Sequence, residues 1–147
     1  MRALEADPSI SCIGTHVWMF HDNPEVVDDV FATPEDHADI KHALLRGSPM
    51  VHGSIIADRA ALLDIGGFDE RYRLVADLEL YDRLVLNNKA ANIPLQLVGI
   101  RQHPDQTSGT KLAFDEVIEI CNGRLLSDNY SRSDIASIKA TLSRAYL

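Results

Sequence analysis

Apolar and polar positions alternate along the chain in short blocks of two different periods. Ser9 to Phe20 carries Ile10, Cys12, Ile13, Val17, Trp18 and Phe20 and predicts a strand with a bend at Gly14. Ahead of it, Arg2 to Ala6 reads as a helix end, stopped at Asp7-Pro8 because the residue before a proline avoids the α region. His21-Asp22-Asn23-Pro24 is a turn signal, and Glu25 to Phe31 reads as a returning strand. A helix start follows, with Thr33 as N-cap, Pro34 in first position and Glu35 and Asp36 in the first turn. Its apolar stripe is Ile40, Ala43, Leu44 and Leu45, and Gly47 supplies the stop.

Met50 to Ala57 reads as a short buried strand, and Arg59 to Ile65 as a short helix closed by Gly66-Gly67. Asp77 to Leu86 is helical by period, with Leu78, Tyr81, Leu84 and Val85 on one side and Asn87-Asn88 as its end. Ile93 to Ile100 is a strand candidate broken by Pro94, which favours an edge position or a late start. Two helices close the chain, Lys111 to Leu126 and Ser133 to Ala145. The class is α/β with few strands for an independent sheet.

Composition narrows the classes. At 147 residues, 46% apolar and 24% charged, the chain has the size and balance of one ordinary domain. That excludes a disordered chain, a collagen repeat and a coiled coil. No run of about 18 apolar residues spans a membrane, and the start lacks the apolar core of a signal peptide. A net charge of −8 disfavours phosphate backbones, so nucleic acid is not an expected partner. The two cysteines, Cys12 and Cys121, lie far apart in apolar stretches and read as reduced, partly buried thiols, which fits a reducing cytoplasm.

Metal and phosphate chemistry find little support in the spacing. His37 and His42 are five apart on one helix and diverge by about 140°, whereas a helical zinc pair needs a spacing of four. His16 and His21 fall on opposite faces of a strand. Gly-x-Gly-x-x-Gly, phosphate-loop and Gly-x-Ser-x-Gly patterns are absent, and Ser108-Gly109-Thr110-Lys111 reads as a solvated loop. The acidic stretch from Asp22 to Asp39 contains no Lys or Arg and reads as a solvated face without fixed ligand spacing.

The informative segment runs from Met50 to Ser108. Val51-His52-Gly53-Ser54-Ile55-Ile56 is followed by Asp58-Arg59, then Gly66-Gly67-Phe68-Asp69-Glu70, then Ala76-Asp77-Leu78-Glu79-Leu80-Tyr81-Asp82-Arg83-Leu84. Ile93-Pro94 and Arg101-Gln102-His103 through Ser108 complete the series. In this order and at these intervals the set resembles the C-terminal half of family 2 glycosyltransferases of the GT-A fold. The opening Ala3-Leu4-Glu5-Ala6-Asp7-Pro8-Ser9-Ile10 is similar to the helix-to-strand passage after that family's metal motif, so the resemblance covers about residues 3–108.

The resemblance implies a partial GT-A (Rossmann-like) α/β fold with a mixed sheet over residues 1–108 and a C-terminal helical extension over 109–147. It implies sugar transfer with inversion from a nucleotide-sugar donor to a glycan acceptor. The family's general base falls on Asp77, where a helix mouth favours negative charge; an N-cap role for Asp77 is the structural alternative. Gly66, Gly67, Phe68, Asp69 and Glu70 would line the acceptor side, His52 and Ser54 the sugar site, and Arg101 the substrate. Gly66-Gly67 also reads as a helix C-cap with Phe68 docked in the core, His52 as a satisfied buried histidine, and His103 either as a surface-loop residue or as a ligand near the diphosphate and its Mn²⁺ or Mg²⁺.

Three departures from the family pattern stand out: Ala76 for the usual Glu before the base, Asp58 for an arginine, and Tyr81 for Trp. The nucleotide-binding βαβ half and its Asp-x-Asp are not in this sequence, so the length matches about half of such a catalytic domain and an unpaired sheet edge is expected. The alternatives are a non-catalytic remnant or interaction module that retains half of the fold, and an unrelated α/β binding domain.

Overall fold

A computed structural model describes residues 7–104, 106 and 110–145. Its centre is a long strand, β1 (Ile10–Phe20), whose first half is buried. On one side β1 pairs in parallel with β4 (Lys89–Arg101) along almost its whole length. Its other edge is shared by two short antiparallel strands. β2 (Asp29–Phe31) lies opposite Val17 to Met19, and β3 (Ile56–Ala57) lies opposite Cys12 and Ile13. The result is a small mixed sheet of four strands within a mixed α/β fold.

Five α-helices are described: α1 (His37–Leu44), α2 (Arg59–Asp64), α3 (Ala76–Asn87), α4 (Lys111–Leu125) and α5 (Arg132–Ala145). None is long and apolar enough to cross a membrane. Leu78, Tyr81, Leu84 and Val85 of α3 bury as their helical spacing demands, together with Leu80. They meet Cys12 of β1, Ile40 and Leu44 of α1, Ala90 of β4 and Ile120 of α4 in the main core. A satellite core joins α4 and α5 to the end of α1 through Leu45, Cys121 and Ile138. The carbonyls at that end of α1 are satisfied from outside the helix. Arg124 Nη1 donates to Leu44 O at 3.0 Å and Thr141 Oγ1 to Leu45 O at 2.9 Å.

Several local expectations give way to tertiary hydrogen bonds. Thr33 does not cap α1; Asp36 does, accepting from Asp39 N. Thr33 is buried against His16, whose Nδ1 accepts from Thr33 N at 3.2 Å. Asn92 of β4 donates to Glu35 O and Pro34 O, which holds that stretch extended until Asp36. The strand expected over 50–57 shrinks to β3, because His52–Ser54 makes a single 3₁₀ turn. There Ser54 Oγ takes the bond from Thr15 N that a strand carbonyl would have taken. The returning strand over 25–31 forms only as β2, and its residues are exposed.

Other features follow the sequence. Gly66 and Gly67, at φ of 86° and 68°, close α2 by donating to Leu63 O and Leu62 O. Pro94 sits in an edge strand: β4 has no strand on its outer side among the described residues. The register steps from Ile93 opposite Thr15 to Gln96 opposite His16, leaving Pro94 and Leu95 as a bulge. β1 is irregular next to Ile10 and His16 rather than at Gly14. Gly14 is small for another reason: a Cβ there would lie 2.2 Å from Asn92 Oδ1. The helix end expected over 2–6 lies outside the described residues.

Candidate functional site

β1 and β4 run parallel and finish together, and ligands of open α/β sheets lie beyond such strand ends. A groove of about 270 Å³ opens there, lined among others by Met19, His52, Asp77, Ile100 and Gln102. His52 reaches it from the 3₁₀ turn and Asp77 from the first turn of α3. His52 also walls a second hollow of about 240 Å³, with Phe68, Leu62, Tyr81 and Cys12.

Three rings organise this region. His52 Nδ1 lies 2.9 Å from Tyr81 Oη, and the Phe68 ring meets His52 edge-on at 5.9 Å between centroids. Tyr81 is almost fully buried; burial, then the negative charge of Asp77, push its phenol far above the ordinary range. The phenol therefore stays protonated. Its O–H has no other partner among the described residues, and the contact with His52 Nδ1 orients the imidazole. His52 is thus exposed and oriented rather than a buried, satisfied histidine, and Phe68, 52% exposed, covers it instead of entering the core.

Asp77 is not the N-cap of α3; Val75 holds that position and Asp77 is the second helical residue. Its Oδ1 accepts from Leu78 N at 2.9 Å. The start of α3 is capped from across the fold by Glu116 of α4. Glu116 is 6% exposed, and its carboxylate accepts from Arg73 N, Leu74 N and Val75 N at 2.9, 2.9 and 3.0 Å. Burial pushes this carboxyl upward, but the three main-chain donors outweigh it and hold it below the ordinary glutamate value. The clamp fixes the helix mouth that presents Asp77.

The other residues singled out in the sequence have different surroundings. Ser54 is buried and spends its hydroxyl on Val51 O and Thr15 N. The Gly66-Gly67 turn is gripped by Arg83, which donates to Ile65 O and Gly67 O while paired with Glu79. Asp69 is forked onto Arg71, whose guanidinium holds its carboxyl down at about 2. Glu70 is exposed. Arg101 donates to His21 O at 3.1 Å while its neighbours Ile100 and Gln102 line the groove. His103 is exposed.

The structure therefore brings His52, Phe68 and Asp77 to one region, and leaves Ser54, the glycine turn, Asp69 and Arg101 to local structural bonds. The sequence reading missed Glu116 and Gln102. Glu116 had a signal: it shares the helical face of Ala113, Ile120 and Cys121 in α4, where an unpaired charge would not be tolerated.

Cys12 and Cys121 are buried and free. Among the described residues there is no group of three or more His, Cys, Asp or Glu side chains placed to hold a metal ion. The comparisons add no relative. No family model, curated protein or solved structure matches this chain.

Proposed function

We propose that this chain carries the acceptor side of an inverting, family 2-like glycosyltransferase with a partial GT-A (Rossmann-like) fold, and that Asp77 is its general base. The observation that carries the reading is the convergence of Asp77 and an oriented His52 on one groove beyond the ends of the parallel pair β1–β4. The ordered motif series of the sequence supplies the chemical class.

In this reading a glycan hydroxyl enters the groove and gives its proton to the Asp77 carboxylate as its oxygen attacks the anomeric carbon of a nucleotide-sugar. The bond from that carbon to the diphosphate breaks on the opposite face, and the sugar centre inverts. A carboxylate within hydrogen-bond reach of the hydroxyl is what this step requires. The first turn of α3 favours the negative charge of Asp77 before the proton arrives. His52, held by Tyr81 and packed edge-on against Phe68, would orient the acceptor. The Mn²⁺ or Mg²⁺ that the resemblance implies would supply charge neutralisation to the departing diphosphate.

A non-catalytic binding module is the second reading. It draws on Ala76, which stands where the resembled motif has a carboxylate. The test is transfer of labelled sugar from a panel of nucleotide-sugars to oligosaccharide acceptors. The proposal expects a product with inverted anomeric configuration. Acceptor binding without any transfer would favour the binding module, and a retained configuration would contradict an Asp77-based mechanism.

A further inference from the structure

Residues 28–37 form a strap that leads from β2, on one edge of β1, to contacts with β4 on the other. β2 itself is exposed and has only three residues in the ladder. Three imidazoles hold the strap. At its first residue, Asp28 Oδ2 meets His21 Nδ1 at 2.8 Å. Just past β2, His16 Nδ1 accepts from Thr33 N at 3.2 Å and lies 3.0 Å from Thr33 Oγ1. At its last residue, His37 Nδ1 accepts from Ala90 N at 3.3 Å. Asn92 pins the stretch between Thr33 and His37, donating from its main chain to Glu35 O and from its side chain to Pro34 O.

The donors decide the state of two rings. A main-chain N–H can only donate, so Nδ1 of His16 and of His37 carries no proton in this arrangement. A proton there sets N–H against N–H and leaves the amides of Thr33, 4% exposed, and Ala90, 2% exposed, without an acceptor. His21 responds in the opposite sense, because a proton on it turns the contact with Asp28 into an ion pair. Charge around His37 favours the neutral ring. Burial, then Lys41 of α1 and Lys89 of β4, lower its pKa against the pull of Asp36. Its bond is therefore complete above the ordinary value of 6.5 and is lost as pH falls through the lower folded one. His16 has the uncharged Gln96 as its rung partner on β4, and Glu35 and Asp36 are the next charges along the strap. The 3₁₀ turn packed on β1 brings His52, which is engaged by Tyr81, and Arg101 of β4 donates to His21 O.

We infer that residues 28–37 are a proton-sensitive strap, latched by His16 and His37 and hinged at the His21–Asp28 contact. On acidification both latches fail while the hinge and the Asn92 pin hold, so the segment between them bows away from β1. Phe31 sits in that segment and lines the groove beside Asp77 and His52. Acid thus removes part of the groove wall. This device is independent of the transferase reading, since Phe31 bounds the groove whatever the groove binds.

Hydrogen exchange of the full chain by NMR at pH 8 and pH 5, expressed as protection relative to a free amide at each pH, tests the strap. Protection of Thr33 and Ala90 should fall about tenfold or more at the lower pH, while Leu84 and Val85 of α3 keep theirs. Trp18, the single tryptophan and the rung partner of Val30, should change its emission over the same range. His16→Asn with His37→Asn leaves an acceptor oxygen at each site but no titrating ring, and should make both readings independent of pH. Unchanged protection of Thr33 and Ala90 in the wild type, or a loss shared equally by α3, would overturn the inference. So would ring-nitrogen shifts showing a proton on Nδ1 of either histidine at pH 8, or a double variant that keeps the wild-type response.

Discussion

Replacing Glu116 by Gln tests the clamp that sets the mouth of α3. The wild-type carboxylate accepts three main-chain N–H groups, at 2.9, 2.9 and 3.0 Å, from a buried position. Glutamine keeps the volume and one oxygen, but its NH₂ must face at least one of those donors, and the charge is lost. Net values for hydrogen bonds to a charged group are about 1.5–3 kcal/mol each and do not add. We expect a loss of about 2–4 kcal/mol. For a chain of this size that lowers Tm by roughly 6–14 °C.

The pH dependence follows from the sign of the shift. The folded carboxyl lies below its ordinary value of 4.5. Its contribution is therefore complete above that value and is lost as pH falls through the lower folded one. Urea unfolding of wild type and Glu116→Gln should differ by the full amount at pH 7, and the gap should close on acidification. Curves within about 0.5 kcal/mol of each other at pH 7, or a gap unchanged into strong acid, would refute the clamp.

Three further outcomes are expected. Gly14→Ala drives a Cβ to 2.2 Å from Asn92 Oδ1, on a side chain pinned by Pro34 O and Pro49 O, and should cost about 2–3 kcal/mol in denaturant unfolding. Tyr81→Phe removes the hydroxyl partner of His52 Nδ1 and should cost about 1 kcal/mol, with a change in the His52 ring nitrogen shifts by NMR. Burial pushes the Cys12 thiol up to about 12 and raises Cys121 as well, so at pH 8 iodoacetamide should label neither in the folded chain within the time that labels both in urea, as read by mass spectrometry.

Periodicity made the helices legible. The apolar spacing of Leu78, Tyr81, Leu84 and Val85 and the glycine pair after Ile65 placed α3 and the end of α2 close to their observed bounds. Of the two readings of Pro94, the edge position holds among the described residues and the late start does not, since β4 begins at Lys89. What local rules could not see were bonds between distant segments. Thr33 has good capping chemistry, but His16, 17 residues away, claims it. Val51 to Ile55 has strand composition, but Ser54 turns inward to bond Thr15. Glu116 lies more than 40 residues from the amides it caps, so only its misplaced charge hinted at a partner. The candidate site was legible as a set of types, with His52, Phe68 and Asp77 named. The bond that orients His52 depends on burying Tyr81, which only the folded core reveals.

The central claim is that Asp77 takes the acceptor proton, and steady-state transfer by Asp77→Asn, with unfolding and acceptor binding measured alongside, tests it most directly. The account predicts a fall in kcat of about 10²–10⁴-fold with stability and acceptor affinity little changed. Transfer by Asp77→Asn at the wild-type rate would contradict it.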